Sequence, residues 1–274
     1  MRRLFWAALA LAACLGLAFL TLPLVALFLR VSPGKLFGEL GNPVVVDALV
    51  VSVKTSAIAH GLVLGVGTPA AYLVARHRFR GRGLVLSLIE LPLVLPPAVA
   101  GIALLAVFGR LGLLGETLSA LGITISFTQT AVVLAVAYVE SPLYLRGAIA
   151  AFEGLDPNLL DASRTLGSGP ARTFVRVALP LAAGGLGASS ALALARGLGE
   201  FGATIVFAGS LQGVTQTLPL AIYAEFDRNF DAALAIGVLF VLLGALLLLV
   251  LKLVPRWRSF TSISLFRSAA SPSI

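Results

Sequence analysis

LDPNLLDASRTLGSGPARTFVRVALP, residues 155–180, is the longest polar interval between hydrophobic segments of this 274-residue chain. Its local signals are helical rather than loop-like. Asp156 is placed to cap a first helix, and Pro157 takes the first helical position, where its missing N–H costs nothing. Leu159, Leu160, Ala162, Ser163 and Leu166 recur at helical spacing, and Gly167 is placed to close the helix in a left-handed turn. Ser168-Gly169-Pro170 restarts the chain, and Phe174 and Val177 form an apolar face predicted to end before Pro180. The stretch therefore predicts a helix–turn–helix that presents an apolar stripe to something outside the membrane.

The flanking sequence supplies the membrane. Hydrophobic residues make up 59% of the chain and charged ones only 12%, with a mean hydropathy of +1.02. A soluble domain carries about 25% charged residues, so the composition is that of an integral membrane protein. With no alternating strand pattern, its backbone in lipid must be helical, giving an all-α fold. Six apolar runs reach the roughly 20 residues a span needs: Leu4–Leu29, Leu49–Ala75, Leu84–Phe108, Gln129–Ala150, Leu181–Phe207 and Ala232–Leu253. Arg2, Arg3 and the lipoprotein-like box Leu11-Ala12-Ala13-Cys14 suggest a cleaved leader. The run continues to Leu29, past the about 7–15 residues of a signal core, so a retained first helix is expected. One transmembrane domain follows: a peripheral helix at about 4–29, core helices over 49–253, the hairpin 155–180 between the fourth and fifth spans, and a basic tail 254–274.

The formal charge of +8 belongs with loop arginines on the cytoplasmic side, not with nucleic acid. With the N-terminus inside, fourteen Lys and Arg residues fall on cytoplasmic segments and five outside, and Arg196 lies within a span. That bias predicts both termini and the hairpin in the cytoplasm. The single Cys14 excludes an internal disulfide or a cysteine metal site. His60 and His77 lie 17 positions apart with no acidic partner near them in sequence, so no metal site is expected.

Several spans carry more than grease. The second holds Gly61-x-x-x-Gly65, then Gly67, Pro69 and Ala70, a pattern that lets another backbone approach. The third reads Glu90-Leu91-Pro92-Leu93-Val94-Leu95-Pro96-Pro97, whose prolines demand a bend or break, as a packing kink or beside a transport path. The fifth is dense in Gly, Ala and Ser before it reaches Arg196 and Glu200, one turn apart. Such residues either line an aqueous path or neutralise each other structurally. Gly197, Gly199 and Gly202 around them favour a segment that bends. The loop Ala208–Asp231 is long enough to re-enter or to touch an external partner.

Catalytic signatures are missing. The chain has no G-x-S-x-G, H-E-x-x-H or C-x-x-C, and its only Gly-Lys, Gly34-Lys35, is followed by Leu36 and so makes no phosphate loop. If ATP drives this protein, the ATPase is a separate chain, and the hairpin is the sizeable cytoplasmic surface for it to touch.

Here the chain resembles the permease subunits of ABC importers, whose loop before the penultimate span carries E-A-A-x-x-x-G, nine residues, then I-x-L-P. This sequence has Asp161-Ala162-Ser163-Arg164-Thr165-Leu166-Gly167, nine residues, and Val177-Ala178-Leu179-Pro180. Asp, Ser and Val stand in for Glu, Ala and Ile. Ala195-Arg196-Gly197-Leu198-Gly199-Glu200-Phe201-Gly202-Ala203-Thr204, Phe207-Ala208-Gly209, Thr215–Tyr223 and Pro92–Pro97 look like molybdate permeases, with sulfate permeases sharing the Gly-Glu-Phe-Gly core. The likeness runs from about Leu49 to Leu253.

The resemblance implies a permease of the inner membrane that works as a homodimer, with two ATPase subunits inside and an oxyanion-binding protein outside. It implies ATPase coupling through Leu159, Leu160, Asp161, Ala162, Ser163, Leu166, Gly167 and Pro180. Pro96, Pro97, Arg196, Glu200 and Thr204 are the candidate pathway or gate. No cofactor is expected in this chain, since ATP and Mg would sit on the ATPase. Molybdate is the expected cargo, with sulfate and tungstate as near alternatives. The far alternatives are a secondary carrier or a non-transporting scaffold, but a carrier would show internal repeats, and the candidate intramembrane carboxylates are Glu90, Glu140 and Glu200 alone.

Overall fold

Helix follows helix in the computed structural model, which describes residues 2–39 and 41–253, and no strand occurs among the described residues. In chain order these are α1 (Arg2–Arg30), α2 (Pro33–Glu39), α3 (Pro43–Arg76), α4 (Arg82–Val94), α5 (Pro97–Phe108), α6 (Gly115–Ala120), α7 (Gln129–Glu153) and α8 (Pro157–Thr165). There follow α9 (Pro170–Leu198), α10 (Gly202–Phe207), α11 (Leu218–Phe226) and α12 (Phe230–Leu253). The basic tail expected over 254–274 lies outside the described residues.

Five helices, α1, α3, α7, α9 and α12, are long and apolar enough to cross a membrane. The expected third span is the bent pair α4 and α5, which meet at 115° and make a sixth crossing if counted as one. The break falls where the prolines demand it. Leu95, next to a proline, is driven to an extended ψ of 133°, and Pro96 at ψ 136° heads α5 with Pro97 in its first turn.

Pro180 behaves differently from expectation. The apolar face of the hairpin's second limb does not end before it, because α9 runs unbroken from Pro170 to Leu198. A π turn over Phe174–Ala178 makes room: the Leu179 N–H reaches back five residues to the Phe174 carbonyl. Pro180 thus sits in the first turn of the regular helix that follows, where its missing N–H is tolerated.

By its contacts the chain divides into two units, residues 1–52 with 210–243, and 53–209 with the remainder. In the first, Val45 and Ala48 of α3 bury against Leu218 and Ala221 of α11 and Ile236 of α12. The loop over 208–231 folds into turns and α11. The Leu218 N–H donates to Ser52 Oγ at 2.7 Å, and Thr215, Gln216 and Thr217 are buried. No residue of α1 is buried.

The second unit holds two apolar clusters. One joins Ala100 and Leu104 of α5, Ala131–Val136 of α7, and Ala203 and Phe207 of α10. The other joins Ala71, Tyr144, Phe152, Leu160, Ala178 and Ala182 at the hairpin end. The Gly, Ala and Ser content of the fifth span has its purpose here, since a Cβ on Gly185 of α9 would come within 2.6 Å of Ala151 Cβ on α7. The Gly61-x-x-x-Gly65 pattern does not bring a backbone close within the chain: neither glycine has an atom within 4 Å of where its Cβ would stand. In α3 the close approach is at Gly67, against the Tyr144 ring at 3.0 Å.

Candidate functional site

Two interrupted spans meet at their interruptions. The third is broken at Pro96-Pro97, and the fifth at Gly199–Phe201, between the end of α9 and the start of α10. A Cβ on Gly202 would lie 2.6 Å from Pro97 Cβ, and one on Gly101 would lie 2.8 Å from the Ala203 carbonyl and from Val206 Cβ. Only glycine at these positions lets α5 and α10 lie so close. Pro97 is thereby brought against the segment that carries Glu200 and Thr204.

Glu200 is not on a helix but in the break, and it answers two groups at once. Its Oε1 accepts the Ala203 N–H at 2.7 Å, capping α10, while Oε2 lies 2.9 Å from an Arg196 guanidinium nitrogen. The two charges differ in access. The Glu200 side chain is 1% exposed and that of Arg196 38%. The guanidinium is thus the accessible partner of the pair, with its counter-charge held behind it at the start of α10. Thr204 is fully buried, and its Oγ1 has no hydrogen-bond partner among the described residues.

A third polar group, missed in the sequence, joins three spans. His60 of α3 places Nδ1 3.0 Å from Glu140 Oε2 on α7 and Nε2 2.8 Å from Ser190 Oγ on α9. His60 thus has an acidic partner, 80 residues away in the chain. Gly197 presses on the Glu140 carboxylate so closely that a Cβ there would overlap it. Glu140 was recognisable as an intramembrane carboxylate, but no local signal pairs it with His60. No group of three or more His, Cys, Asp or Glu side chains fit to hold a metal occurs among the described residues.

The hairpin is built by its own short-range signals. Asp156 caps α8 by accepting the Asn158 N–H at 2.9 Å. Gly167, at φ +83°, closes it with paired bonds, Gly167 N–H to the Arg164 carbonyl at 2.9 Å and Ser168 N–H to Ser163 at 3.1 Å. The apolar residues divide between two faces. Leu160 is 1% exposed and anchors the hairpin to Phe152 and Ala178, whereas Leu159 and Leu166 are 49% and 86% exposed. Asp161 and Ala162 also lie on the outer surface, and Ser163 reaches inward to Thr173 Oγ1 at 3.3 Å. Beneath them Tyr72, Phe152 and Phe174 form an aromatic knot, with ring centroids 4.8 to 6.2 Å apart, that ties the hairpin to α3 and α7.

Such an arrangement, an all-helical membrane bundle with a capped surface hairpin and buried charge at broken spans, defines a transport component. The family model described as binding-protein-dependent transport system inner membrane component matches residues 67–259, and the chain belongs to that family. It is a membrane component and not an ATPase. The chain is 47% identical over 242 residues to the molybdenum transport system permease protein ModB of Mycobacterium tuberculosis, covering 87% of this chain and 90% of that protein. It is 44% identical over 178 residues to the protein of the same name from Escherichia coli K12, covering 65% and 78%. Among solved structures, a bacterial alginate ABC transporter matches with a TM-score of 0.73 at 15% identity over 90% of this chain and 92% of that one. The MetNI methionine ABC transporter, in an inward-facing conformation, matches at 0.60 and 18% identity over 76% and 93%. Those structures speak for the fold.

Proposed function

We propose that this chain is the permease subunit of an ATP-driven molybdate importer in the inner membrane. The observation that carries the reading is the 47% identity to a molybdenum transport permease across nearly the whole of both proteins. Two copies form the path, two ATPase subunits bind inside, and an oxyanion-binding protein delivers cargo outside. Both termini and the hairpin face the cytoplasm, in keeping with the fourteen-to-five distribution of basic residues. ATP and Mg act on the ATPase, and this chain needs no cofactor of its own.

The exposed Leu159, Ala162 and Leu166 seat in a cleft of the ATPase, with Asp161 beside them and Gly167 shaping the turn. Leu160, Ser163 and the aromatic knot hold that surface to α3, α7 and α9. Closure of the ATPase dimer on ATP therefore moves hairpin and spans as one body and turns the bundle outward. Pro180 keeps the hairpin's second limb in line with the fifth span. Molybdate then passes the paired breaks, where Arg196 offers an exposed cation and Glu200 prevents tight retention. Sulfate and tungstate, tetrahedral dianions of similar size, are the second reading, supported by the Gly199–Gly202 sequence Gly-Glu-Phe-Gly.

The test is uptake by proteoliposomes holding the permease, its ATPase and its binding protein. ATP-dependent accumulation of molybdate, with sulfate accumulated far less at equal concentration, is expected. Preferential sulfate uptake would move the chain to the second reading, and no ATP-dependent uptake of any of these anions would overturn both.

A further inference from the structure

A cavity of about 780 Å³ opens where α3 ends and α4 begins, closed on its other side by the hairpin. Its walls carry Arg76, Arg78, Arg82 and Arg164, together with His77 and one acidic residue, Glu153. The charges are not balanced. Glu153 is already committed to the Arg82 guanidinium, whose Nε also donates to the Val74 carbonyl at 3.0 Å. Arg164 makes only a long 3.4 Å contact with Asp161. Arg76 and Arg78 have no hydrogen bond or ion pair among the described residues, and Arg76 is half-buried. Guanidinium groups cannot shed their protons, so like charges gathered around one cavity repel unless an anion joins them. The N-terminus of α4, capped by Gly81 without a side-chain acceptor, adds its partial positive charge beside Arg82.

We propose that this cavity binds a tetrahedral oxyanion group, held by Arg76 and Arg78 from one wall and Arg164 from the other. The planar fork of a guanidinium matches two oxygens of such a group, and bonds of this kind are roughly twice as strong as neutral ones. Two sources present the same chemistry at this depth, the phosphate of an anionic phospholipid and a free oxyanion from solution. Basic pockets between spans, at the level where a long helix leaves the bilayer, take phospholipid headgroups. A free anion would instead make the hairpin responsive to cytoplasmic oxyanion. In either case the ligand bridges Arg164 on the hairpin to Arg76 at the end of α3. Its occupancy then stiffens the element through which the permease is driven. The leaflet concerned follows from the orientation proposed above, but the binding does not depend on the nature of the cargo.

The experiment uses the full-length permease in nanodiscs, with its thermal midpoint followed against lipid and anion. In phosphatidylcholine discs, inorganic phosphate, sulfate and molybdate are titrated. A saturable rise in midpoint identifies a free oxyanion. In discs containing phosphatidylglycerol, a raised midpoint that added anions no longer change identifies the lipid phosphate. Either result should weaken at least about tenfold in apparent affinity in Arg76→Gln/Arg78→Gln, because charge-assisted bonds are lost. Arg164→Gln, on the exposed hairpin, should show a smaller loss in the same direction if the double variant fails to fold. Arg172→Gln/Arg176→Gln removes equal charge outside the cavity and should behave as the parent. No midpoint shift with either source overturns the proposal, as would equal weakening in the two double variants. Loss of ATPase co-purification in Arg76→Gln/Arg78→Gln with the anion response intact would also overturn it, assigning those arginines to the ATPase interface. Uptake of a cargo other than molybdate would revise the proposed function and leave this site standing.

Discussion

The hairpin and the paired breaks put polar and apolar groups to opposite uses. In the hairpin the backbone ends are capped locally, by Asp156 and around Gly167, and large apolar side chains such as Leu166 face outward. At the breaks the backbone is interrupted inside the bundle, and a buried carboxylate, Glu200, caps α10 and holds Arg196. An exposed apolar surface on a rigid, self-satisfied element suits docking. A buried charge at a gap between helices suits passage of an ion, because non-helical backbone at membrane depth is tolerated beside protein or a water-filled path. Under the proposed function the hairpin is the place where force enters, and the breaks are the place where cargo moves.

The largest effect expected is from Gly167→Glu. The left-handed conformation at φ +83° costs a non-glycine residue about 1–2 kcal/mol, while no atom lies within 4 Å of the new Cβ. The defect is therefore one of backbone shape and of charge against an apolar cleft, not of crowding. ATP hydrolysis by the assembled transporter should persist while uptake falls about tenfold or more, the size of a shift of about 1.4 kcal/mol in the docked population. Unchanged uptake in proteoliposomes would remove the hairpin from coupling and dissolve the contrast with the breaks.

Arg196→Ala should lower uptake several-fold and leave assembly intact, because Glu200 keeps the Ala203 amide it caps. A buried carboxylate stripped of its partner is costly, so Arg196→Ala/Glu200→Gln, which removes both charges, separates two roles. Elution of the single variant as a broken assembly that the double variant restores would make the pair structural. An intact assembly with slow uptake in both variants would place the guanidinium on the path.

How far the sequence carried depends on distance along the chain. The caps of α8 were legible because Asp156, Pro157 and Gly167 act on neighbours within a turn. The break of the third span was legible because Pro96 and Pro97 are adjacent, which forces the preceding Leu95 into an extended conformation and removes two consecutive amide donors. Pro180 was misread because a π turn absorbs it, and that turn lies where Phe174 joins the aromatic knot. Periodicity placed Leu159 and Leu160 on one helix but could not say that one faces outward and the other inward. The contact of Pro97 with Gly202, and of His60 with Glu140, is tertiary: each partner is an ordinary span residue until the helices are assembled.

Ser190→Ala should have the smallest effect, and it probes whether the spans between hairpin and breaks move as one body. Ser190 Oγ lies 2.8 Å from His60 Nε2, whose Nδ1 lies 3.0 Å from Glu140 Oε2. Removing the hydroxyl leaves the His60–Glu140 link between α3 and α7 in place and cuts only the link of His60 to α9. Hydrogen bonds between spans average about 0.6 kcal/mol, since an unfolded chain in the membrane finds other partners. The midpoint of denaturant unfolding should therefore fall slightly, with uptake and ATP hydrolysis still coupled. A loss of several kcal/mol, or uptake falling while hydrolysis continues, would mean that force reaches the breaks through His60. The two regions would then be parts of one mechanism joined at a single side chain, and not separate elements carried on a rigid bundle.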